Sequence, residues 1–135
     1  MNVFYPVLFT RLKDKKDTYL IEIPDLNAVT EGFGMEDAYK MARDLMGSTL
    51  METADELIPE ATEVNDVDIK ASQFASKGET FVTIIDLDLT MYRRKYDKRC
   101  IRRNVSLPVW MNDAANQEGL NVSKILQEAL LKRIK

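Results

Sequence analysis

An α+β protein in two modules is predicted from this chain, on three observations. Over residues 1–91, alternating apolar residues give way to a helical apolar stripe and then to a β-branched run. Over residues 101–135, a short strand pattern, a proline, a helical stripe, a glycine and a second stripe follow in order. Between the two the charge reverses. Residues 1–91 carry eight Lys/Arg against eighteen Asp/Glu, net −10, whereas residues 92–135 carry eleven against four, net +7. The expected organisation is a βββαβ module over 1–91, a basic linker over 92–100 and a strand–helix–helix module over 101–135.

The first strand is expected over Val3–Thr10, with apolar character on both faces. Pro6 lacks an N–H, so this strand should lie at an edge or begin after it. Thr18–Ile23 and Ala28–Phe33 read as the next two strands of an antiparallel meander, joined by the turn residues Pro24-Asp25-Leu26-Asn27. A long helix is then expected, its stripe running from Met35 through Ala38, Ala42 and Met46 to Leu57, with Pro59 ending it after Ile58. Glu36 and Asp37 sit in its first turn, where carboxylates favour the helix dipole. Residues 60–79 show no periodicity and read as loop; Phe81–Leu89 reads as the fourth strand.

In the second module, Ile101, Arg103, Val105 and Leu107 fall on one face of a short strand, and Cys100, Arg102, Asn104 and Ser106 on the other. Pro108 stops it. Val109, Trp110, Met111, Ala114 and Ala115 open a helix, Gly119 ends it, and Asn121 caps a second helix with Val122, Ile125, Leu126, Ala129, Leu130 and Ile134 as its stripe. Trp110 is expected to pack and Cys100 to be a partly buried, inert thiol.

Composition narrows the chemistry. The chain has 135 residues, 45% hydrophobic and 30% charged, which is globular usage. No apolar run reaches the roughly 18–20 residues of a membrane span, and no basic region precedes the apolar start, so neither a span nor a signal peptide is expected. One cysteine excludes an internal disulfide and a cysteine-rich zinc site, and suits a reducing compartment. The absence of histidine removes the commonest general base, the His-containing triads and most zinc enzymes. The expectation is a cytoplasmic protein without cofactor or metal. Asp25, Glu36, Asp37, Asp86 and Asp88 could supply a two-metal nuclease site in principle. Capping and turn roles account for the first three, and a solvated strand face for Asp86 and Asp88, so no enzyme activity is expected.

The strand–helix–helix segment cannot be stable alone. One strand has no partner within it, and two short helices bury too little to offset chain entropy. Pairing the strand antiparallel with its copy from a second chain gives backbone partners and encloses a four-helix core. The segment Asn104–Pro108 with Gly119 and NVSKILQEALLK over residues 121–132 closely resembles the ribbon-helix-helix family. The resemblance implies a dimer or tetramer whose β-ribbon enters the major groove of operator DNA. The DNA-contacting candidates are Arg102, Asn104 and Ser106 on the outward face, Arg103 beside them, and Asn121, Ser123 and Lys124 at the start of the second helix, where amides and dipole favour phosphate. Arg103 departs from the family pattern, which places an apolar residue there, so the ribbon register is open by one residue.

The first module, through YLIEIPDLNAVTEGFGMEDAYKMA over residues 19–42, resembles the HicB antitoxins. Pro24, Asp25, Leu26, Gly32, Glu36, Asp37 and Ala38 match that pattern, while Asn27-Ala28 and Phe33-Gly34 depart from it. The combined resemblance implies a type II toxin–antitoxin system. Its first module would be a degraded ribonuclease H-like fold that neutralises a HicA-type mRNA-cleaving toxin, and its second would repress the operon. An acidic first module suits a cationic toxin. The toxin-facing candidates are Asp37, Asp44, Glu52, Asp55 and Glu56, taken as one acidic helix face, together with the 60–79 loop. The alternative is a stand-alone repressor whose first module senses a small ligand.

Overall fold

The computed structural model describes residues 1–134 and divides the chain into two compact units, Met1–Lys98 and a second from Arg99 onward. The first contains β1 (Asn2–Leu12), β2 (Thr18–Ile23), β3 (Ala28–Phe33), α1 (Met35–Leu50), β4 (Gly78–Asp88) and α2 (Leu89–Tyr96). The second contains α3 (Val109–Gln117) and α4 (Val122–Arg133). The strands form one antiparallel sheet in the order β3-β2-β1-β4.

Register explains the core. Phe9 lies opposite Ile21 on one side and Phe81 on the other, and its ring stacks on those of Phe81 and Tyr39. With Val3, Tyr5, Val7, Ile23 and Ile85 it forms the sheet face packed against Ala38, Ala42, Met46 and Leu50 of α1. Burying a side chain of this size contributes about 1.5–3 kcal/mol each. On the opposite sheet face Leu8 and Thr10 are buried, while Phe4 and Ile84 further along it are exposed. There Leu8 shares a cleft with Val67, Ala71 and Ser72, and the hydroxyls of Thr10 and Thr80 share a 2.7 Å hydrogen bond. That cover explains the apolar Leu8 on the second face of β1, whereas Phe4 on the same face stays exposed.

β2 and β3 fall at their predicted bounds, but four expectations need correction. β1 begins at Asn2 and lies inside the sheet, so Pro6 neither starts it nor marks an edge strand. β2 pairs only with Leu8–Arg11, so at Pro6 the strand has a ladder neighbour on the β4 side alone. Helix α1 stops at Leu50 rather than Ile58. Gly47, Ser48 and Thr49 are weak helix formers. Beyond them, the Arg93 guanidinium donates to the carbonyls of Met51 (3.2 Å) and Thr53 (2.6 Å), holding the chain in a turn. β4 starts three residues early, at Gly78. Finally, much of the stretch expected as a basic linker is helical. Asp88 accepts a hydrogen bond from the Met91 amide (3.2 Å), starting α2 directly at the end of β4. Residues 60–77 contain only single 3-10 turns, in keeping with their lack of periodicity.

Candidate functional site

The second unit is built from strong local signals and little interior. Pro108 precedes α3, where a missing N–H costs no helical bond. Gly119 ends it with φ 65°, and the Leu120 amide donates to the Ala115 carbonyl at 3.0 Å, closing a Schellman-type cap. The Asn121 side chain then accepts from the Lys124 amide (3.1 Å) and starts α4. The predicted helices, stop and cap therefore all form. Yet no residue described in this unit is buried, Ile101 being 93% exposed and Trp110 69%. Trp110 was expected to pack; within one chain it does not.

Residues 101–107 carry no regular secondary structure, which corrects the predicted strand. The physical reason is the one that made the segment unstable alone: a strand is defined by its ladder, and no neighbouring segment pairs with it. Part of the expected sorting by face survives at its C-terminal end. Val105 and Leu107 line an apolar groove of about 290 Å³ with Met111, Ala115, Leu120, Val122, Ile125, Leu126 and Ala129. These are largely the two predicted helical stripes. Arg102, Arg103 and Ser123 meet in a second groove of about 590 Å³, with Cys100, Ile101, Leu126, Gln127 and Leu130. Adjacent residues of a strict period-two strand point apart, so the segment departs from that pattern at Arg102 and Arg103. Asn104, Ser106, Asn121 and Lys124 are exposed and line neither groove. Cys100 is exposed, not partly buried as expected.

The five acidic candidates do not share a helix face, because α1 ends before three of them. Asp37 and Asp44 lie in α1 and line one groove of about 440 Å³ with Lys40, Met41, Arg43, Leu87, Tyr92 and Tyr96. Glu52 lies in the turn after α1, and Asp55 and Glu56 in a 3-10 turn beyond it. Asp37 accepts from the Phe33 amide (2.9 Å), and Asp55 pairs with Arg93 (2.7 Å). Asp44 accepts from the Tyr92 hydroxyl at 2.9 Å. Burial, then that hydrogen bond and the Asp44 charge, with the neighbouring Tyr96 adding to them, push the Tyr92 phenol up to about 12. Tyr92 and Tyr96 were missed by sequence reasoning. Their i, i+4 spacing was the available signal, and their rings lie 4.6 Å apart.

On the other sheet face, Glu22, Asp25, Asp66 and Asp68 rim the 260 Å³ cleft at Leu8. Glu22 accepts from the Ser72 hydroxyl (2.7 Å), and Asp25 from the amide and hydroxyl of Thr62 (3.0 and 2.6 Å). Burial, and secondarily Asp25, raise the pKa of Tyr5, whose hydroxyl donates to the Pro59 carbonyl (2.5 Å). Two further acidic residues weighed for metal binding have structural partners. Asp86 pairs with Arg43 (3.2 Å), and Asp88 caps α2 beside the N-terminal ammonium (4.0 Å). Among the described residues no cluster of three or more potential ligands could hold a metal ion. No helix among them is long and apolar enough to cross a membrane.

Drawn at the structural boundary, residues 1–98 hold twelve Lys/Arg against nineteen Asp/Glu, net −7; residues 99–135 hold seven against three, net +4. No family model matches the chain, and no curated protein matches it. Among solved structures, it is similar to a chain of a toxin–antitoxin complex from Streptococcus pneumoniae, with 22% identity and a TM-score of 0.61 over 99% of this chain and 100% of that one. It is also similar to the antitoxin HicB of Burkholderia pseudomallei, with 19% identity and a TM-score of 0.50 over 97% and 96% of the two chains. At these identities the likeness concerns the fold: an α+β chain with a four-stranded antiparallel sheet followed by helices.

Proposed function

We propose that this protein is a non-enzymatic antitoxin of the HicB kind. Its first unit neutralises a small cationic, mRNA-cleaving ribonuclease of the HicA type. Its second unit binds operator DNA as a ribbon-helix-helix dimer or higher oligomer. The carrying observation is that the second unit has two capped amphipathic helices and an apolar groove, yet no buried residue among those described. A second copy supplies what is missing, namely a β-partner for residues 101–107 and a cover for the groove of Val105, Leu107 and Ile125. Further support comes from end-to-end likeness to a chain of a toxin–antitoxin complex, and from the opposite charges of the two units.

In this reading, paired 101–107 segments lie in the major groove. Asn104 reads adenine, Arg102 or Arg103 reads guanine, and Ser106 is permissive. The first turn of α4, with Asn121, Ser123 and Lys124, holds backbone phosphate. The toxin meets the first unit at the α1–α2 groove bearing Asp37 and Asp44. Glu52, Asp55, Glu56 and the 60–77 cleft extend the acidic surface. Light scattering during size exclusion at micromolar concentration tests the assembly: a dimer or larger species is expected, and a strict monomer overturns the DNA-binding half. Co-expression with the toxin tests the other half. A chain shortened to residues 1–98 should still suppress toxicity, and loss of suppression by this folded unit overturns the division of labour.

A further inference from the structure

We propose that the cleft at Leu8, on the sheet face opposite α1, seats one arginine or lysine side chain of the toxin, its stem against apolar lining and its cation among carboxylates. The inference rests on the antitoxin reading and deepens it, because it gives the protein partner one defined point of attachment.

The cleft combines two chemistries. Leu8, Pro24, Val67 and Ala71 give it an apolar lining, whereas Glu22, Asp25, Asp66 and Asp68 line it with carboxylates and no Lys or Arg does. The fold offers these carboxylates neutral donors. Glu22 accepts from the Ser72 hydroxyl (2.7 Å) and the Gln73 amide (3.4 Å), Asp25 from the Thr62 amide and hydroxyl, and Asp68 from the Lys70 backbone amide (3.0 Å). Elsewhere in the unit carboxylates meet guanidinium groups: Asp17 pairs with Arg11, Asp86 with Arg43 and Asp55 with Arg93. Among the described residues none of the four cleft carboxylates has such a pairing. Glu22 and Asp25 are half-buried and already fixed by their donors, so little ordering remains to be done when a cation arrives.

Size and shape select the kind of cation. A metal ion needs several oxygen ligands converging on one point, and among the described residues no three potential ligands do so. Pockets for drug-sized ligands run to about 300–1,000 Å³, and this cleft measures about 260 Å³. An alkyl chain ending in a guanidinium or ammonium answers both linings. Arginine and lysine bury their stems along apolar surface while the charged end stays at a polar rim, and a carboxylate there makes a charge-assisted hydrogen bond. Charge complementarity assigns that side chain to the toxin, since the proposed partner is cationic and the unit that bears the cleft has net charge −7.

The test uses the full chain with isotope-labelled methyl groups and n-butylguanidinium as the probe. Its titration should shift the NMR signals of the Leu8 and Val67 methyls to saturation. Guanidinium alone and n-butanol, each lacking one half of the probe, should leave them nearly unmoved at the same concentration. The double variant Asp66→Asn/Asp68→Asn removes two charges and keeps an oxygen that can accept from the Lys70 amide. It should bind both the probe and the toxin roughly tenfold more weakly, the toxin being followed by calorimetry. A control of equal charge change, Asp14→Asn/Glu79→Gln at two exposed positions outside the cleft, should keep the wild-type affinities. Methyl signals unmoved by the probe, or an equal loss in the control, overturn this inference and leave the antitoxin reading standing. Probe binding with unchanged toxin affinity in the cleft variant assigns the cleft to a free small cation and overturns it as well. Failure of the wild type to bind the toxin overturns both.

Discussion

Asn104 carries the base-reading part of the proposal, and its exposure in a single chain leaves it available to solvent or a base edge. Asn104→Ala should cost roughly 1–3 kcal/mol at operator DNA and relax base preference at one position. Lys124→Ala should instead weaken binding to every sequence and flatten the salt slope, as a phosphate contact does. Fluorescence anisotropy on matched and scrambled duplexes separates the two. Toxin inhibition should survive both changes. Tyr92 offers a test within the first unit. Its folded pKa of about 12 lies above the ordinary value of 10, so the folded state keeps its proton where the unfolded chain loses it. The stabilisation is complete below pH 10 and is lost as pH rises toward 12. Denaturation midpoints across that window should fall less steeply in Tyr92→Phe than in the wild type.

At the scale of elements, α2 is fastened to α1 by more than the Tyr92–Asp44 hydrogen bond. The Tyr92 ring occupies the space a Cβ on Gly47 would take, and Arg93 holds the carbonyls that follow α1. Gly47→Ala gains helix propensity but forces the ring away, and a net loss of roughly 1–3 kcal/mol is expected from overpacking. Arg93→Ala should cost a similar amount, about 1–3 kcal/mol, by leaving two carbonyls and a carboxylate without their charged donor. Urea midpoints check both. These contacts also explain what was legible in sequence. Strands β2 and β3, the Gly119 stop and the Asn121 cap follow from local chemistry, and local chemistry decided them. The end of α1 was set by Arg93, some forty residues away, and periodicity over Thr53 and Leu57 could not register it. The Asp37–Asp44 groove was half legible, because its carboxylates stood out by charge, whereas its aromatic wall came from a stretch read as linker. The cleft at Leu8 was invisible, since residues 60–77 are aperiodic and gain their place only against the sheet.

For the whole molecule, the two units differ in kind. The first has a core on one side of its sheet and a covering segment on the other, whereas the second has apolar stripes and no buried residue among those described. Thermal unfolding should therefore separate them. The first unit's transition should be independent of protein concentration. A second transition should move upward as concentration rises, because association supplies the missing interior. Calorimetry over a hundredfold dilution series checks this, and a single concentration-independent transition would contradict the proposed assembly. The absence of burial at Val105, Leu107 and Ile125 has a consequence for control. If the proposed dimer is the species that holds DNA, it forms in proportion to the square of chain number where chains are scarce. In the proposed reading, repression would then rise steeply with supply, like a threshold, and a modest fall in level would be enough to reopen the operon.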